Sequence, residues 1–137
     1  LANMPGGGVI LQATATASLT LTTSAQSIVG DGDSSKVRLL LPTPGDWAVE
    51  ATCDFQHTVA GADTAIGELF VNDSGTAETA TAIFRAASQN ERATVTQTWK
   101  ITTAANTPVE LKAYMDGAGG NGTIQATHTR LTAIGGN

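Results

Sequence analysis

The chain has 137 residues, a net charge of −5 from 12 acids against 7 bases, and only 4% aromatic residues; a chain of that length holds one core, and here that core is thin. No two lysines or arginines are adjacent, so no basic run can neutralise a phosphate backbone, and nucleic acid is excluded as an expected partner. No window reaches the roughly 18 apolar residues of a membrane-spanning helix, which argues against membrane insertion, and the single cysteine, Cys53, excludes an internal disulfide.

Leu1 to Gly8 carries Pro5 and then three glycines, a composition suited to an arm or linker. Residues 1–8 are therefore read as an N-terminal arm and 9–137 as a single β-sandwich domain. The start Leu1-Ala-Asn-Met-Pro5 sets the expectation of a longer or trimmed parent polypeptide. From Val9 to Thr23, Leu11, Ala13, Ala15 and Ala17 alternate with Thr14, Thr16 and Ser18, the pattern of one bent strand or two short ones. Gly30 to Ser35 is a loop, and Val37 to Leu41 a short apolar strand stopped by Pro42.

The clearest strand is Gly45 to Thr58. Trp47, Val49, Ala51, Cys53 and Phe55 fall at odd positions, with Glu50, Thr52, Asp54 and Gln56 between them, so one face enters a core. A turn is expected around Gly61-Ala-Asp63, then a strand over Ile66 to Asn72 closed by the turn signal Asn72-Asp-Ser-Gly75. Thr76 to Ala87 mixes helix and strand formers and is read as strand. Ala93 to Thr103 and Val109 to Met115 both alternate, and they are expected to pair as an antiparallel hairpin. Asp116 to Gly122 is a glycine loop. The last strand, Thr123 to Ile134, breaks parity near Arg130, which calls for a bulge or burial on both faces. About eight strands without intervening helices give an all-β fold, an antiparallel jelly-roll-like β-sandwich.

The residues that could carry chemistry do not assemble into a site. Cys53 and His57 lie about 13 Å apart along one strand, too far to share an ion. Asp31 and Asp33 sit among glycines but lack the terminal glutamate of a calcium loop. Gly117 to Gly122 leads into a strand and has no following lysine, so it is not a phosphate cradle. No Gly-x-Ser-x-Gly elbow accompanies the two histidines, His57 and His128. The expectation is a protein that is not an enzyme and has no metal or cofactor. Its candidate binding site is the end loop Asp116, Gly117, Ala118, Gly119, Gly120, Asn121 and Gly122, because rigid β scaffolds carry recognition on such loops. Thr94, Thr96 and Thr98 with Thr127, Thr129 and Thr132 offer short hydroxyl-bearing side chains that can pack against another subunit or coat a solvent face.

Three segments carry a resemblance: Pro44-Gly-Asp-Trp-Ala-Val-Glu-Ala51, Asn106-Thr-Pro-Val-Glu-Leu-Lys-Ala113, and Gly122-Thr-Ile-Gln-Ala-Thr-His-Thr-Arg-Leu-Thr-Ala-Ile134. Together they resemble the globular heads of bacteriophage virion proteins, which are similar to the tumour necrosis factor and complement-type jelly roll. The resemblance implies a homotrimer on the surface of a phage particle, with other virion proteins as partners. It also implies one of two roles. The first is the head of a tail fibre or similar appendage, binding a host surface glycan or protein through its end loops. The alternative is a capsid decoration protein that binds only other virion subunits.

Overall fold

The computed structural model describes residues 8–58, 64–85, 90–117 and 121–135, with backbone alone for 2–3 and 76–84. Its strands are β1 (Ala2–Asn3), β2 (Val9–Thr14), β3 (Leu19–Thr20), β4 (Gln26–Ser27), β5 (Arg38–Leu41), β6 (Gly45–His57), β7 (Thr64–Val71), β8 (Ser74–Phe84), β9 (Arg92–Thr103), β10 (Thr107–Asp116), β11 (Gly122–Ile124) and β12 (Arg130–Gly135). Eight of these have four residues or more and four are shorter, beside one 3-10 turn at Asp33–Ser35. The turn expected around Gly61-Ala-Asp63 lies outside the described residues.

The strands form two antiparallel sheets. In the first, β1, β2, β12, β6 and β9 lie side by side, while β11 extends the line of β12 along the far half of β6 and carries β3 beside it. In the second, β8, β7 and β10 are followed by β5 and β4, placed end to end along the other edge of β10. The alternation of β6 explains the join: Val49, Ala51, Cys53 and Phe55 are fully buried and Trp47 nearly so. They meet Leu69, Val109, Leu111 and Met115 of the second sheet in one core. Trp47 also donates its indole N–H to the Thr43 carbonyl at 3.2 Å, which anchors the turn before β6.

Two sequence expectations are corrected. β9 and β10 do not form a hairpin: β9 pairs with β6 from Arg92↔Gln56 to Thr103↔Gly45, and β10 pairs with β7, β5 and β4. Alternation specifies which face a strand buries, and both strands have the same alternation; it says nothing of the partner. The link through Ala104 to Asn106 crosses between sheets, with Asn106 at φ 58° and Thr107 Oγ1 donating to the Ala104 carbonyl at 2.8 Å. The hairpin of the second sheet is β7–β8, where Asn72 and Asp73 at φ 53° and 61° supply the left-handed pair that a tight two-residue turn requires.

The closing strand, in turn, is neither bulged at Arg130 nor buried on both faces. It stops after Ile124 and resumes at Arg130. Across the gap the Asp54 amide donates to Thr129 Oγ1 at 3.1 Å, Thr129 Oγ1 donates to the Gln125 carbonyl at 2.6 Å, and the Gln125 amide donates to the Asp54 carbonyl at 2.7 Å. A threonine hydroxyl thus replaces the missing ladder partner, and the parity change in the sequence is the mark of the break.

The register also orients the molecule. Val9 pairs with Gly135, and Gly135 with Trp47, at one end of the first sheet. The turns through Pro42 to Pro44, Asn72 to Asp73 and Ala104 to Asn106 lie at that same end. At the opposite end, Thr64 pairs with Asp116 and Gly122 with His57.

Candidate functional site

The candidate end loop rises from the end opposite to Val9 and Gly135. Asp116 closes β10 and is exposed, Gly117 has φ 128°, and Asn121 and Gly122 start the descent into β11. Ala118, Gly119 and Gly120 lie outside the described residues. The base of the loop is fixed by residues that sequence reasoning did not single out. The Asn121 carbonyl accepts from the Thr58 amide at 2.9 Å and from Thr58 Oγ1 at 3.2 Å. The Gly122 carbonyl accepts from the Leu21 amide at 2.9 Å, and the Met115 amide donates to the Thr22 carbonyl at 2.7 Å. A Cβ at Gly122 would lie 2.8 Å from Met115 Sδ. The loop therefore stands on a platform shared by both sheets. Its partners are distant in the sequence, and no local signal marks them.

Beside the loop the chain presents neutral polar groups, Thr22, Thr23, Ser24 and Thr58, all exposed. Asp116 supplies the charge. On the same strand the Tyr114 hydroxyl is pushed above its ordinary pKa, by burial first, then by donation to Glu68 Oε1 at 3.1 Å and the charge of Glu68, and least by Asp116.

A second surface is the outer face of the first sheet. Register places Thr94, Thr96, Thr98 and Thr102 of β9 opposite Asp54, Thr52, Glu50 and Asp46 of β6. These rows are closed within the chain: Thr98 Oγ1 donates to Glu50 Oε2 at 3.4 Å, Thr102 Oγ1 donates to Asp46 Oδ1, and Thr52 and Thr96 hydroxyls lie 3.4 Å apart. Thr132 joins this face opposite Glu50, and Ile10, Ile134 and Ala48 form an apolar row across it. The six threonines considered from the sequence are not all brought together: Thr127 lies exposed in the break between β11 and β12, and Thr129 is fully buried there.

Asp31 and Asp33 are turned to donors of this chain. Asp31 Oδ1 accepts from the Thr14 amide at 2.6 Å, and Asp33 Oδ2 from Arg38 Nε at 2.9 Å. Among the described residues no three His, Cys, Asp or Glu side chains are placed to share a metal ion. Cys53 is buried, and burial pushes its thiol up to about 12.

No protein-family model matches this sequence, and no curated protein sequence does. Solved structures do match. Eiger TNF from S. frugiperda superposes with a TM-score of 0.65 at 4% identity, over 93% of this chain and 92% of that one. Murine APRIL superposes with a TM-score of 0.62 at 8% identity, over 93% of this chain and 98% of that one. At such identities the likeness is one of fold, and the fold is the TNF-like antiparallel jelly roll.

Proposed function

We propose that this chain is a non-enzymatic structural protein of a bacteriophage virion. In this reading it is the trimeric head of a tail fibre or similar appendage, displayed on the particle surface and binding a host surface glycan or protein through its end loops. The observation that carries the reading is the polarity of the sandwich: Val9 and Gly135 pair at one end, and Asp116, Asn121 and Gly122 stand at the other. A head held from the first end points its loop outward. The threonine face of the first sheet supports association, since its side chains are short and its carboxylates are already bonded within the chain.

The test is replacement of Ala118 to Asn121 by residues of similar length. Lengthening or altering a loop is cheap in stability, at about 0.6 kcal/mol per doubling of length, so the melting temperature should hold while particle adsorption to the host cell shifts. Unchanged adsorption, with the domain still held by purified capsids, would replace the fibre reading by capsid decoration.

A further inference from the structure

The sequence contains one Asn-Gly dipeptide, Asn121-Gly122, and it lies at the mouth of the end loop. Asparagine before glycine is where a backbone nitrogen reaches a side-chain carboxamide most easily, because glycine has no Cβ to obstruct the approach. Closing that ring requires the peptide plane between Asn121 and Gly122 to swing about the Asn121 Cα–C bond until Gly122 N meets Asn121 Cγ. Here the plane is held. Its carbonyl oxygen accepts two hydrogen bonds from Thr58, at 2.9 and 3.2 Å, and the following carbonyl is held by the Leu21 amide at 2.9 Å. Gly122 is itself buried in register with His57 and against Met115.

We propose that Asn121 is a latent deamidation site latched shut by Thr58, and that it reacts when the junction of β6 and β11 opens. The reaction consumes only water and involves no redox change. Gly122 N bonds to Asn121 Cγ, the Cγ–Nδ2 bond breaks, and the amide leaves as ammonia with the proton from Gly122 N. Water then adds to either carbonyl of the succinimide and breaks its C–N bond, giving aspartate or isoaspartate. Both products add one negative charge to the loop that already holds Asp116. Isoaspartate also adds a methylene to the backbone immediately before the pairs Gly122↔His57 and Thr123↔Gln56, so the strand cannot return to the same register.

The experiment needs no partner. The purified chain is kept in mildly alkaline buffer, folded or in urea, and deamidation of the peptide containing Asn121 is followed by mass spectrometry. The folded chain should react far more slowly than the unfolded one. Thr58→Val, which removes one hydrogen bond from the latch, should raise the folded rate by a factor of about 2 to 10, while Thr58→Ser keeps the hydroxyl and stays at the wild-type rate. Equal rates folded and unfolded overturn the proposal, as does a Thr58→Val rate equal to wild type or a rise in Thr58→Ser as large as in Thr58→Val. A second measurement uses the wild-type chain alone: across low urea concentrations the rate should rise in step with exchange of the Thr58 amide, and a rise without it overturns the latch.

Discussion

Arg38 is touched by three carboxylates from three separate segments. Its Nε lies 2.9 Å from Asp33 Oδ2, and one terminal nitrogen contacts both Asp73 Oδ1 and, at 3.1 Å, Glu110 Oε1. Glu110 is 1% exposed and its Oε2 has no hydrogen-bond partner among the described residues, so Arg38 is the cation that faces this buried carboxyl group. Arg38→Met should therefore cost about 3–5 kcal/mol, the penalty of stranding a buried carboxylate, measured by urea denaturation. Arg38 holds the exposed Asp73 below the usual carboxylate range, chiefly by hydrogen bonding. A depressed carboxyl stabilises the fold above its unfolded pKa, and this is lost as pH falls through the folded value. The melting-temperature gap between wild type and Asp73→Asn should accordingly be present at neutral pH and close in strong acid. Cys53 follows the same logic of burial: a thiol reagent should label it slowly until denaturant is added. Its burial was legible in the parity of β6. The Arg38 cluster was not, because its partners lie 5, 35 and 72 residues away in the chain.

At the scale of elements, strands with the same sequence pattern occupy unequal positions. β10 has strands on both edges, and Leu111 is fully buried; β9 pairs only with β6 among the described residues, and its inward Val95 is half-buried. From the sequence alone, Asp at either position is expected to cost several kcal/mol. The packing separates them: Leu111→Asp buries an unpaired charge and should unfold the domain, whereas Val95→Asp should cost less in the isolated chain because its carboxylate reaches water. Melting temperatures of the two variants check the order. Thr129→Val should cost about 1–3 kcal/mol by leaving the buried Asp54 amide without its acceptor. The faces of β6, β9 and β10 could be read from residues two apart, whereas which strand each would join depends on contacts that alternation does not encode.

For the molecule as a whole, the lack of a helical pattern between the strands of the sequence and the spacing of its turns were enough to give the jelly roll, a fold shared with Eiger TNF and APRIL. The end loop was legible as a loop from its glycines, but its platform of Thr58, Leu21, Thr22 and Met115 arises only when the two sheets close. The proposed trimer should scatter light with about three times the 13.9 kDa chain mass; a monodisperse monomer at micromolar concentration overturns it. Because Val9 and Gly135 are neighbours across β2 and β12, the backbones meet at about 5 Å, one strand spacing. A short glycine bridge can join them and a new start can be opened between Ala105 and Asn106, in an exposed turn. Such a circular permutant should keep the fold, and the same adjacency makes the jelly roll a cassette that can be spliced into a surface loop of an unrelated carrier.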